Sequence, residues 1–211
     1  MSKLEEIASA VERGKAKLVP GLVEEALDEG IDPVEILNKG MIDAMSVVGE
    51  KFKNNEIFVP EMLVAARAMK KGVEVLKPSL GGDADVSIGK AVIGTVQGDL
   101  HDIGKNLVCL MVESAGFEVL DLGVDVPAER FVEAAQDPAV KIVGVSALLT
   151  TTMPAMKATV EALNAAPNRA DFKVMVGGAP ITQEFAEEIG ADAYTADAAT
   201  CASVAKKFVA G

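Results

Sequence analysis

The 211-residue chain contains a single histidine. His101 lies in the segment Gly94-Thr95-Val96-Gln97-Gly98-Asp99-Leu100-His101-Asp102-Ile103-Gly104-Lys105-Asn106. Asp99 precedes it by two positions. In an extended loop such residues point to the same side, so carboxylate and imidazole can hydrogen-bond. A metal-bound imidazole commonly donates its other N–H to a carboxylate in this way. Gly98 and Gly104 would let the backbone approach a bulky group. The bland alternative is a surface histidine in a helix-capping loop, with Asp102 as the cap of the next helix. One histidine excludes metal sites that need two or more, such as His-rich zinc sites and the two-His facial triad.

The elements around this loop follow from periodicity. Before residue 80 the texture is helical, with apolar residues recurring at helical spacing over 3–13 and 18–28. Gly30 reads as a helix stop, and Asp32-Pro33 as an N-cap with proline at the first helical position. A third helix runs to about Phe52 and is broken by Asn54-Asn55. Pro60 opens a fourth. These make a four-helix bundle. Met41, Met45, Met62 and Met69 sit at core spacing.

The stretch Lys77–Asp85 is turn chemistry without periodicity. Its Gly/Asp-rich part at 78–85 could act as a hinge. The stretch divides the chain into a helical domain at 1–80, a linker at 81–88 and a second domain at 89–211. In the latter, strands are expected at Lys90–Val96, Glu118–Asp121, Ile142–Ser146, Lys173–Gly177 and Ala193–Thr195. Helices alternate with them at about 103–115, 128–136, 153–165, 182–189 and 197–209. Alternation of this kind gives an α/β Rossmann-like, flavodoxin-like domain with a five-stranded parallel sheet. Ligands in such sheets bind at the carboxyl ends of the strands. The loops of interest therefore begin near residues 97, 122, 146, 177 and 195.

Composition narrows the functions. Asp and Glu total 32 against 20 Lys and Arg, a formal charge of −12, and aromatics are 4%. Neither a phosphate backbone nor stacked bases suit such a surface. Cys109 and Cys201 form no CxxC pair and read as two buried thiols. The N-terminal residues do not read as a signal peptide, and no run of about 20 apolar residues would span a membrane. A cytoplasmic protein is expected. Gly177-Gly178-Ala179-Pro180 lacks the Lys-Ser/Thr of a P-loop. Ser146 would lack a free histidine as base if His101 binds metal, which argues against a serine hydrolase.

Asp99-x-His101-x-x-Gly104 resembles the signature of cobalamin-binding domains. Ser146-Ala147-Leu148 and Gly177-Gly178 match its later elements, each at a strand's carboxyl end. Met41–Phe52 and Phe58-Val59-Pro60-Glu61 resemble the helical cap that accompanies methyl-carrying cobalamin domains. Nearly the whole chain is thus similar to corrinoid proteins of methylamine- and methanol-type methyltransferase systems, and to the cap plus cobalamin module of methionine synthase.

The resemblance implies cobalamin as cofactor, working through a methyl-Co(III)/Co(I) cycle. His101 would be the lower cobalt ligand, oriented by Asp99, with Thr152 in place of the family's relay serine. Gly98, Asp102, Ile103 and Gly104 complete the binding loop. Ser146, Leu148 and Thr150 would line the slot for the displaced nucleotide tail. Gly177 and Gly178 would let the tail pass, and Ala198 would close the slot's far end. Phe52 and Val59 would cover the upper corrin face, while Asn38 stands where a cap carboxylate is found in methionine synthase. By spacing alone Phe52 and Val59 are ordinary bundle core.

The implied function is a methyl shuttle between a substrate-specific methyltransferase and a second one acting on tetrahydrofolate or coenzyme M, with a reductive activase as further partner. No catalytic residue is assigned, and the chain lacks the roughly 250 residues of a barrel that would bind a methyl donor. A cobalamin-dependent sensor is the alternative. Its usual DNA-binding domain and cap tryptophan are missing from this sequence. A mutase small subunit and an α/β domain without corrinoid are further options.

Overall fold

The computed structural model describes residues 2–80 and 87–210. They form two compact units, the helical half up to residue 80 and the sheet half from Ser87 on, less residues 114–116. Most of the expected linker, residues 81–86, lies outside the described residues.

The helical unit is built from α1 (Lys3–Glu12), α2 (Val19–Asp28), a longer rod, and α5 (Val59–Leu76). The rod is not one regular helix. It starts as α3 (Pro33–Glu35), widens to i→i+5 turns over Ile36–Ile42, and continues as α4 (Asp43–Lys53). Asp32 caps it as expected, its carboxylate accepting from the N–H groups of Val34 and Glu35. Gly30 and Asn55 take positive φ after the helix ends. Met41, Met45, Met62 and Met69 are all buried among Ile7, Val11, Val19 and Val23, as their spacing predicts.

The sheet unit runs β1 (Lys90–Val96), α6 (Ile103–Ser114), β2 (Glu118–Val126), α7 (Ala128–Ala134), β3 (Val140–Ser146), α8 (Met153–Asn164), β4 (Lys173–Gly177), α9 (Gln183–Ile189), β5 (Ala193–Tyr194) and α10 (Ala198–Ala210). All neighbouring strands pair in parallel, in the order β2-β1-β3-β4-β5. This is the flavodoxin-like order, in which the chain reverses direction across the sheet beside β1. The near-continuous apolar strands follow from coverage on both faces. One buried layer gathers Val92, Val143, Val145, Val174 and Val176 against Phe131, Met156, Val160 and Leu163.

One expected boundary is corrected. The sequence predicts a loop near residue 122, but β2 continues to Val126. The register slips by one residue between Asp121 and Gly123, and again between Gly123 and Val126. Each slip adds an unpaired residue to β2, which is a β-bulge. Gly123 takes φ +86 and Asp125 φ +53. The polar residues there look like a loop in sequence because bulges use the same residue types.

Gly94 lies in β1, two residues before that strand's end. A Cβ there would meet the Phe131 ring at 2.8 Å, and Phe131 is fully buried. Gly94→Ala should therefore lower stability by about 1–3 kcal/mol through overpacking, read as a shifted midpoint in urea unfolding with an unchanged slope.

Candidate ligand site around His101

The loop after β1 is built to turn Asp99 inward and His101 outward. Gly98 adopts φ +81, and the Asp99 N–H closes a turn onto the Val96 carbonyl at 3.1 Å. Asp99 is thereby fully buried. Thr95, also fully buried in β1, donates its hydroxyl to the His101 carbonyl at 2.9 Å. The backbone of the histidine is thus fixed from the strand below it. Thr95 is not legible in the sequence, because one threonine in a strand has no distinguishing pattern.

Four donors surround the Asp99 carboxylate. Oδ1 accepts from the His101 N–H at 3.1 Å and lies 2.7 Å from His101 Nδ1. Oδ2 accepts from the Leu148 N–H at 2.7 Å and the Thr152 hydroxyl at 2.8 Å. That hydroxyl also lies 2.9 Å from the Leu149 carbonyl. It has one proton, and the ionised carboxylate is the stronger acceptor. Burial alone would raise the Asp99 pKa. The Leu148 N–H, the His101 ring, the His101 N–H and the Thr152 hydroxyl together outweigh it and hold the carboxyl well below the usual range. Threonine at 152 therefore does what a serine would, and its added methyl does not prevent the contact.

An ionised carboxylate only accepts. The hydrogen of its contact with His101 therefore sits on Nδ1, and in the neutral imidazole the Nε2 lone pair is then free. The imidazole is 49% exposed, so Nε2 is accessible. Its neighbours Leu100 and Ile103 are 72% and 85% exposed. Large apolar side chains left this open mark a place that binds something apolar.

The remaining expected residues are distributed as follows. Asp102 precedes α6, its carbonyl accepting the Asn106 N–H at 2.7 Å and its carboxylate the Asn106 side-chain amide at 3.3 Å. Ile103 and Gly104 open α6, and a side chain at Gly104 would meet nothing within 4 Å. Ser146 ends β3 beside Thr95 and Gly177. Leu148 and Thr150 are exposed in the following turn, and Thr152 is buried at its end. Ala198 is buried at the start of α10, which Asp197 caps by accepting from the Thr200 N–H at 2.8 Å. These residues share the carboxyl-end edge of the sheet. Phe52 and Val59 belong to the helical unit instead. Phe52 is half-buried in the last turn of α4, and Val59 is exposed at the start of α5.

The two glycines at the end of β4 have an intramolecular reason to be glycine. A Cβ on Gly178, at φ +132, would fall 1.8 Å from the Ala147 carbonyl oxygen. One on Gly177 would lie 2.9 Å from that of Thr195. The β3 and β4 loops therefore touch backbone to backbone. That contact sets the turn from which Leu148 reaches Asp99.

Two carboxylates of β2 were also not singled out from sequence. Asp121 lies 2.6 Å from the Lys105 Nζ, and Lys105 is 3% exposed. This pair ties the first turn of α6 to β2. Asp125 accepts the Gly98 N–H at 2.7 Å, and its own N–H donates to the Asp99 carbonyl at 3.0 Å. Nothing in sequence announces either partner, since 16 and 27 positions separate them. Both cysteines are free thiols. Cys201 is buried as expected, but Cys109 is only half-buried. Burial, with the Asp121 charge, pushes the Cys109 thiol up to about 12.

Among the described residues no group of three or more His, Cys, Asp or Glu could hold a bare metal ion. His101 offers one nitrogen with an open approach and an apolar surround. That donor set fits a metal that brings its other ligands within an apolar macrocycle, as cobalt does in a corrin.

Comparison with known proteins agrees with this fit. Two family models, both described as B12 binding domain, match residues 89–204 and 3–77. The chain belongs to the B12-binding corrinoid protein family. It is 45% identical to dimethylamine corrinoid protein 1 of Methanosarcina acetivorans over 98% of this chain and 97% of that one. It is 47% identical to trimethylamine corrinoid protein 1 of the same organism, over 84% and 83%. Among solved structures, a cobalamin-binding protein from Desulfitobacterium hafniense aligns with TM-score 0.82 at 32% identity, covering 97% of this chain and 98% of that one. A chain of the methanol:cobalamin methyltransferase complex of Methanosarcina barkeri aligns with TM-score 0.84 at 30% identity, covering 99% and 80%. The corrinoid protein thus binds cobalamin, and the predicted two-part fold is the family's own.

Two outcomes test the Asp99 cage in the apo corrinoid protein. Asp99→Asn places an amide where only acceptors fit. With its oxygen kept on Leu148 and Thr152, its NH2 faces the ring, and the proton should move from Nδ1 to Nε2. Ring 15N shifts read that exchange directly. Thr152→Val should cost about 1–3 kcal/mol at neutral pH. Asp99's depressed pKa contributes stability that is fully present above the ordinary carboxylate range and is lost as pH falls below it. The gap between wild type and Thr152→Val should therefore persist at about pH 4 and narrow only at lower pH, as Asp99 of the folded variant takes up its proton.

Proposed function

We propose that this chain is a methyl carrier, the corrinoid subunit of a methyltransferase system and not an enzyme by itself. It would take a methyl group from a substrate-specific methyltransferase and present it to a second methyltransferase acting on tetrahydrofolate or coenzyme M. A reductive activase and a cytoplasmic location belong to the same reading. The observation that carries it is the His101 imidazole, fixed in one tautomer by the buried Asp99 carboxylate with Nε2 left open. Full-length similarity to methylamine corrinoid proteins, and to a chain of a methanol:cobalamin methyltransferase complex, supports the choice of chemistry.

When bound, the corrinoid supplies the cobalt centre that accepts and releases the methyl group. The chain's own residues do the rest. His101 would hold the cobalt through Nε2. Asp99 holds the proton on Nδ1 and, by remaining ionised, makes the imidazole a stronger donor. Thr152 and the Leu148 N–H keep Asp99 ionised in a site that water does not reach. Leu100 and Ile103, close to His101 in the chain, offer exposed apolar surface. Ser146, Leu148, Thr150, Gly177, Gly178 and Ala198 are proposed to receive the nucleotide tail.

Purified protein mixed with hydroxocobalamin and desalted should stay red, and a colourless product would end the corrinoid reading. His101→Ala should abolish imidazole-nitrogen superhyperfine splitting in EPR of the cobalt(II) form. The carrier role is tested separately, by transfer of labelled methyl from the loaded protein to tetrahydrofolate or coenzyme M in the presence of a partner methyltransferase. Transfer in neither case would leave a binding module without the shuttle.

A further inference from the structure

Outside the Asp99–His101–Thr152 set, one contact reaches the ligand loop from a different strand. Asp125, near the end of β2, meets the loop at two points. Its Oδ1 accepts the Gly98 N–H at 2.7 Å, and its N–H donates to the Asp99 carbonyl at 3.0 Å. We propose that Asp125 is a positioning residue for the axial imidazole, gripping the Gly98–Asp99 segment so that Asp99 faces inward and His101 outward. This inference rests on the reading of His101 as the cobalt ligand.

Three observations support it. Asp125 adopts φ +53, a conformation that costs an ordinary residue and that Asp and Asn tolerate best. Strain of this kind persists where surrounding structure demands it, and often next to a functional site. Second, β2 reaches the loop only because its register slips twice, between Asp121 and Gly123 and between Gly123 and Val126. Bulges re-aim a side chain in this way. Third, Gly98 is exposed, so water could satisfy its N–H. The carboxylate is therefore not needed to rescue a buried donor. What it adds is a charge-assisted bond that fixes Gly98 at φ +81, the turn on which the direction of Asp99 depends.

Asp125 does not touch Nε2 and would act only through Asp99 and the loop backbone. Two substitutions separate its parts. Asp125→Gly accepts the same φ without strain and removes the acceptor. Asp125→Asn keeps an acceptor oxygen and tolerates the φ.

The test uses the full-length protein, labelled with 15N and 13C and free of cofactor. Wild type should show a through-hydrogen-bond coupling between the Gly98 amide nitrogen and the Asp125 carboxyl carbon. In Asp125→Gly the Gly98 amide should exchange about tenfold faster or more, the size expected for loss of one charge-assisted bond. The His101 ring nitrogens should also move toward the averaged positions of a free imidazole, and Asp125→Asn should restore them. Ring shifts in Asp125→Gly that match wild type overturn the proposal. If Asp125→Gly does not fold, the wild-type coupling decides, and its absence overturns the proposal. After loading with hydroxocobalamin and reduction, Asp125→Gly should show a smaller imidazole-coordinated fraction in EPR than wild type. A wild type with no imidazole coordination would refute the ligand reading instead, and the cofactor-free measurements would still judge the grip of Asp125.

Discussion

A carboxylate with no exposed surface, ringed by four donors, is the constraint from which the site follows. Burying Asp99 without partners would cost several kcal/mol or force it to protonate. It stays ionised because donors from two loops converge on its two oxygens. Two come from His101 itself and two from the loop after β3. Because the carboxylate can only accept, it dictates which imidazole nitrogen bears the proton. The free lone pair of Nε2 is thus a consequence of how the sheet folds and not of the histidine alone.

That convergence explains features scattered along the sheet unit. Leu148 can reach Asp99 only if the β3 loop is held in place, and Gly178 holds it by bringing backbone against the Ala147 carbonyl. Thr95 fixes the His101 carbonyl from inside β1. Lys105, buried one turn into α6, is secured by Asp121, and Asp125 secures the turn at Gly98. The Lys105–Asp121 ion pair, buried at the lysine but open to solvent at the carboxylate, adds little net stability. It does fix how α6 departs from the loop. The strands β1, β2 and β3 all contribute, and they are adjacent at the place where the chain reverses direction across the sheet.

The corrinoid chemistry needs what this arrangement provides. The described residues hold no cluster able to bind a bare metal ion, so on the proposed reading the metal would arrive within its macrocycle. One preset nitrogen would then suffice, and exposed Leu100 and Ile103 would suit an apolar macrocycle. The acidic surface, unsuited to nucleic acid, is consistent with partners that are proteins.

Much of this was legible in the residues. Periodicity located the four helical segments, and β–α alternation located all five strands. Asp99 and His101, two apart before a helix, announced a hydrogen-bonded pair, and their likeness to a family signature named the cofactor. Thr152 was picked out by that likeness alone, as the replacement for a serine. The sequence could not reveal the end of β2, because bulges and loops draw on the same Gly and Asp. Nor could it reveal Thr95, Lys105–Asp121 or Asp125, since these partners are distant in the chain or lack any pattern. Local sequence determines elements through short-range sterics and apolar period. Which donors meet one buried carboxylate, and so which nitrogen is left open, depends on strand order and register. Only the tertiary structure decides those.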